Sequence, residues 1–183
     1  MKICFQTQIL VSSNYYFKYH FHSPPGLLYK LYIDGAWAKA TGIGGMGIVI
    51  RSAKGIFIAG MAKKIPFMRS AQMVETIALR EGLQFALDMG IRGLMVESDA
   101  KGIIDCLNRR RIMLEKIVIL CDDIWLLGQA AQVIAYRYVP RVDNRVANAI
   151  AKFALRVDDF EVWLEHHPSW LYPLLEEDLP LNL

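Results

Sequence analysis

The most constraining feature of this chain is a change of hydrophobic period near residue 70. Before it, residues 27–34 (LLYKLYID), 44–52 (GGMGIVIRS) and 55–62 (GIFIAGMA) are short apolar runs rich in residues that favour strands. The last two are joined by Ser52-Ala53-Lys54-Gly55, so the segment predicts a three-strand meander. Beyond it, Val74, Ile77, Ala78, Leu83 and Leu87 recur at helical spacing over residues 71–89, and Gly90 supplies a stop. A short strand at 94–96, closed by Glu97-Ser98-Asp99, precedes helices over 100–109 and 114–129; a strand over 132–138 and a helix over 144–156 complete the pattern. In the order βββαβααβα, strands 1, 4 and 5 can pair in parallel through helical crossovers while strands 1 to 3 pair antiparallel. The expectation is an α/β fold, a mixed five-stranded sheet flanked by helices.

Composition sets the bounds of that fold. At 183 residues, 54 % hydrophobic and 21 % charged, the chain has material for one ordinary domain plus additional segments. Charged residues or glycine interrupt every apolar run well short of the roughly 18 residues a membrane span needs. The three cysteines are scattered and odd in number, which suits a reducing compartment better than a disulfide framework. Residues 1–27 hold no acidic residue and no arginine, and Gln6 and Gln8 break their apolar start. They read as an extension or an extra strand rather than a targeting peptide. Residues 28–157 form the expected domain, with 19 basic and 11 acidic residues, and residues 158–183 form an acidic tail with seven acids and no base. The net charge of +3 therefore conceals a distinctly basic domain, which favours a polyanionic partner.

Gly42-Ile43-Gly44-Gly45-Met46-Gly47 satisfies the G-x-G-x-x-G dinucleotide pattern. The context contradicts it: Ile48-Val49-Ile50 continues as a β-branched run where a helix N-terminus is needed to hold a pyrophosphate. These glycines are expected to shape a hairpin and strand entry.

Three acids stand out by position. Asp34 closes the first strand on the same face as Tyr32, Glu75 interrupts the apolar stripe of the first long helix, and Asp99 ends the fourth strand, where it could cap the next helix. Each alone is ordinary, but adjacent parallel strands would place the carboxyl ends of strands 1 and 4 side by side, at a crevice suited to ligands. Clustered carboxylates repel unless a cation lies between them, and hard oxygen donors suit Mg²⁺. A pair of such ions can activate water and stabilise a leaving oxygen in phosphodiester cleavage.

These residues carry a family resemblance. Ile33-Asp34-Gly35-Ala36, residues 44–51 (GGMGIVIR), residues 75–83 (ETIALREGL), Glu97-Ser98-Asp99-Ala100 and residues 139–152 (VPRVDNRVANAIAK) follow one another in an order that resembles the ribonuclease H-like superfamily. The likeness is strongest to the plant reverse-transcriptase-like, ribonuclease H type-1 domain, and Val162-Trp163-Leu164 resembles the way such domains end. The resemblance implies an endonuclease that hydrolyses the RNA strand of RNA–DNA hybrids with two Mg²⁺ ions, or Mn²⁺ in their place. Its acidic ligands fall on Asp34, Glu75, Asp99 and a fourth position that here holds Asn148, which brings no negative charge. A histidine of the pattern is replaced by Tyr138, and Asp143 reads as the cap of the final helix.

A hybrid is recognised mainly through its minor groove, by 2′-hydroxyl and phosphate contacts. The expected nucleic-acid contacts are Gly35, Ala36, Gln72, Arg141 and Asn144, with Arg109, Arg110 and Arg111, beside Lys116, as a phosphate-binding cluster. The chain is expected to act as a monomer. Two functions remain open at this level: a metal-dependent nuclease weakened at Asn148, and a nucleic-acid-binding or interaction module that keeps the fold. The acidic tail is solvated by default; if it folds back on the basic face, deleting residues 158–183 tightens hybrid binding at low salt.

Overall fold

Side-chain alternation fixes the centre of the sheet. In a computed structural model, which describes residues 28–109 and 115–177, β1 (Tyr29–Ala38) sends Tyr29, Leu31 and Ile33 to one face and Tyr32 and Asp34 to the other. Strand β2 (Ile43–Ser52) alternates likewise, with Met46, Ile48 and Ile50 opposite Gly47 and Val49. It pairs antiparallel with β1 and with β3 (Phe57–Ile65), completing the meander. Leu31, Ile33, Ile48 and Ile50 are fully buried, each contributing roughly 1.5–3 kcal/mol of transfer free energy.

Helix α1 (Ala71–Asp88) begins where the Ser70 hydroxyl accepts the Met73 N–H at 3.2 Å, and it ends in a turn with Gly90 at φ +74°. It packs on β1 and β2 with α3 (Glu115–Ala130) beside it. Strand β4 (Leu94–Ser98) runs parallel to β1, and α2 (Lys101–Arg109) leads toward α3 and β5 (Ala135–Tyr138), which lies parallel to β4. Helix α4 (Arg145–Ala154) covers the opposite face, against β2, β1 and β3.

Among the described residues the sheet order is β5-β4-β1-β2-β3-β6, six strands rather than the five expected. The sixth, β6 (Phe160–Leu164), pairs antiparallel with β3 from within residues 158–183. The same segment contributes a 3₁₀ turn (Ser169–Leu171) and α5 (Tyr172–Glu177). Leu171 and Leu175 join the core with Val49, Val146 and Ile150, and Trp163 and Trp170 flank Phe153. Sequence reading missed the strand because FEVWL is five residues long and set among acids. The expected N-terminal extension, residues 1–27, lies outside the described residues. Among the described residues, no helix is long and apolar enough to cross a membrane.

Candidate active site

The parallel pairing of β1 and β4 ends at Ile33 opposite Ser98, so the next residue on each strand is an acid: Asp34 and Asp99. Asp34 does not close its strand as expected, since β1 continues to Ala38 along β2. It is nevertheless the first position beyond the β4 pairing, and it is almost fully buried.

Glu75 reaches the same place because α1 sits unusually close to β1. A Cβ added at Gly35 would lie 2.8 Å from the Glu75 backbone nitrogen, so the residue after Asp34 must lack a side chain for α1 to approach. Gly47 does the same for α4, where a Cβ would lie 2.1 Å from the Ala147 carbonyl oxygen. That contact seats Asn148 over Asp34 on β1, and its Nδ2 donates to Asp34 Oδ2 at 2.5 Å. The G-x-G-x-x-G match is thus part of a hairpin and a helix-packing surface, as its β-branched continuation suggested.

Two further groups bind the acids. The Asn144 side chain donates to the Ile33 carbonyl at 2.9 Å and to Asp99 Oδ1 at 3.2 Å, joining the start of α4 to β1 and β4. Arg141 Nε donates to Asp99 Oδ2 at 3.2 Å. Asp99 therefore does not cap α2; Ser98 Oγ accepts the Ala100 N–H instead. Nor does Asp143 occupy the cap position of α4. It ends a 3₁₀ turn (Arg141–Asp143), and Asn144 takes that position while its amide points into the crevice.

The electrostatics reflect this crowding. Burial first, and the Asp99 charge second, push Asp34 up to about 6, against the downward pull of Asn148 and the Gly35 N–H. Burial, then Asp99 and Asp34, push Glu75 up to about 7, with Arg141 opposing. Among the described residues no hydrogen-bond donor reaches the buried Asp34 Oδ1. Such a donor set, hard oxygens with one buried lone oxygen, suits Mg²⁺ or Mn²⁺ chemically. Arg141, Asn144 and Asn148 already use one oxygen each, and among the described residues no group of three or more His, Cys, Asp or Glu forms a ready cation cage.

The remaining expected residues are partly gathered here. Gly35 follows Asp34 on β1 against α1, Ala36 is half-buried further along β1, and Gln72 is half-buried in the first turn of α1. Tyr138 ends β5 beside Ser98, exposed, with Lys101 Nζ 5.9 Å from its ring centroid. Arg109 ends α2, while Arg110 and Arg111 lie outside the described residues. The ion pair of Arg141 with Asp99 was not foreseen, because strand pairing 42 residues away brings the two together.

A mixed sheet with α1 and α3 on one face, α4 on the other and carboxylates at the β1–β4 end defines a ribonuclease H-like domain. Among solved structures, the N-terminal RNase H domain of Rv2228c from Mycobacterium tuberculosis is similar with a TM-score of 0.65 at 23 % identity, over 71 % of this chain and 94 % of that one. RNase H1 from the halophilic archaeon Halobacterium salinarum also gives 0.65 at 23 % identity, over 70 % and 97 %. LC11-RNase H1, solved in complex with an RNA/DNA hybrid, gives 0.63 at 18 %, over 69 % and 96 %. The chain belongs to the reverse transcriptase-like family, whose model matches residues 32–154. No match was found among curated proteins.

Proposed function

We propose that this chain binds RNA–DNA hybrids and hydrolyses their RNA strand slowly, with divalent metal ions held by Asp34, Glu75 and Asp99. The observation that carries this reading is the approach of Glu75, from α1, to Asp34 and Asp99 just beyond the last paired residues of β1 and β4, with Asp34 and Glu75 pushed up by burial and by their charged neighbours. Two Mg²⁺ ions, or Mn²⁺, would supply Lewis acidity for the attacking water and the leaving oxygen. Asn148 offers an amide where the family pattern has an acid. It stabilises Asp34 as a hydrogen-bond donor, and it adds no charge to hold a cation. Arg141 would exchange its bond to Asp99 for a phosphate when metal and hybrid arrive. Gly35, Ala36, Gln72 and Asn144 would face the minor groove, and Arg109, Arg110 and Arg111 the DNA phosphates.

The hybrid complex of LC11-RNase H1 supports the choice of nucleic acid. A second reading, hybrid binding without turnover, is favoured by the Asn148 to Asp34 bond, which satisfies a buried carboxylate oxygen without any ion. A labelled hybrid incubated with Mg²⁺ or with chelator tests the first reading. RNA cleavage that needs metal and spares duplex DNA supports it; tight, salt-sensitive binding with no cleavage transfers the case to the second.

A further inference from the structure

Phe67 is held in an unusual state. It is 89 % exposed and has φ +61°, a left-handed backbone that bulky L residues seldom adopt. Solvent exposure of a phenyl ring and a left-handed backbone are both unfavourable for the isolated chain, so this is a point where strain and exposure coincide. The segment around it is fastened on its C-terminal side. The Met68 N–H donates to the Gly42 carbonyl at 2.7 Å, and Trp37 Nε1 donates to the Met68 carbonyl at 3.2 Å. Ser70 then opens α1, with Gln72 and Glu75 in its first turns. The ring is therefore presented by a braced loop that runs directly into α1, the helix whose first turns carry Glu75. Lys39, in the β1–β2 turn that grips the loop, and Arg69 are both exposed.

Extending the nucleic-acid reading above, on which this rests, we propose that Phe67 is an aromatic contact for nucleic acid. It would lie against the sugars that line the minor groove of the hybrid, with Lys39 and Arg69 taking the flanking phosphates. Aromatic faces give sequence-tolerant affinity, and apolar wedges also enter minor grooves, whereas flanking cations add a salt-dependent part. A nuclease that reads hybrid geometry needs contacts of this kind, tolerant of sequence and placed off the reacting phosphate.

Fluorescence anisotropy with a labelled RNA–DNA hybrid in chelator tests the proposal on the full chain. Phe67→Gly suits the left-handed backbone, so the variant should fold at least as well as the native chain. Its affinity should fall by roughly 10- to 100-fold with the dependence on salt unchanged, as loss of a buried, uncharged aromatic side chain predicts. Phe67→Tyr should retain native affinity, and Arg69→Gln should lower the log–log salt slope by roughly 0.7–0.9. Native affinity in Phe67→Gly overturns the proposal and leaves hybrid binding standing; absence of hybrid binding by the native chain removes both. If Phe67→Gly instead abolishes self-association in sedimentation while hybrid affinity is unchanged, the ring is a protein contact and the proposal fails.

Discussion

Asn148 Nδ2 and Asp34 Oδ2 meet 2.5 Å apart between α4 and β1, so the neutral amide of α4 stabilises the charge of a carboxylate that β1 buries. A fourth acid there would face Asp34 with no hydrogen to offer. Asn148→Asp is therefore expected to lower the stability of the metal-free chain by about 1–3 kcal/mol, and excess Mg²⁺ should recover most of the loss. Urea unfolding in chelator and in Mg²⁺ measures both quantities. Equal stability of the two proteins in chelator would show that the amide bond does not relieve the cluster.

The same crowding sets a pH dependence. Asp34 is raised from 3.8 to about 6 and Glu75 from 4.5 to about 7, so in the intervening range the folded state binds more protons than the unfolded one. Their contribution to stability is complete below pH 3.8 and is lost as pH rises through 6 and 7. For Asp34 the loss is at most about 3 kcal/mol, and the partly solvated Glu75 adds less. Denaturation of the native chain and of Asp34→Asn in chelator, from pH 4 to 8, isolates the effect. The native minus variant difference should fall with pH, and a rising difference contradicts the assignment.

Close packing of α4 on the sheet makes Gly47 a structural support of the crevice. In Gly47→Ala the new methyl would meet the Ala147 oxygen at 2.1 Å and the Ala151 nitrogen at 2.4 Å, both backbone atoms. Overpacking of this kind costs about 1–3 kcal/mol or more, because a helix rather than a rotamer must move. The variant should be strongly destabilised and should lose hybrid affinity, since Asn144 and Asn148 move with α4. Native-like melting would show that α4 shifts freely.

The C-terminal segment is part of the packed structure. Leu171 is fully buried against the second face, and Arg145 at the start of α4 pairs with Glu177 at 2.7 Å. Leu171→Ala should cost about 2–4 kcal/mol, read by urea denaturation. Deleting residues 158–183 would remove β6 and this packing together, so lower stability would mask any gain in hybrid affinity. Glu177→Gln is the cleaner probe of the acidic segment, and it should tighten hybrid binding only at low salt.

Much of this was legible in the sequence, for identifiable reasons. β1 and β2 were located as apolar runs because helices cover both faces of the sheet, and α1 by its helical period; Asp34, Glu75 and Asp99 stood out as acids within apolar settings. The family pattern supplied Asn148. What sequence could not supply were relations across the sheet: Arg141 on Asp99, and the Asn144 amide turned inward rather than capping α4. Phe67 was also hidden, since Ile65-Pro66-Phe67-Met68 reads as a continuing apolar run until its backbone angle is known. β6 escaped because a short edge strand leaves little periodic signal.

The central claim is tested most directly by the RNA-strand cleavage rate on an RNA–DNA hybrid in Mg²⁺ or Mn²⁺, compared among the native chain, Asn148→Asp and Asp99→Asn. The account predicts slow, metal-dependent cleavage by the native chain, none by Asp99→Asn, and a rate at least roughly tenfold higher in Asn148→Asp, equivalent to about 1.4 kcal/mol of barrier. Absence of cleavage in the native chain and in Asn148→Asp alike, or cleavage that survives Asp99→Asn, would contradict it.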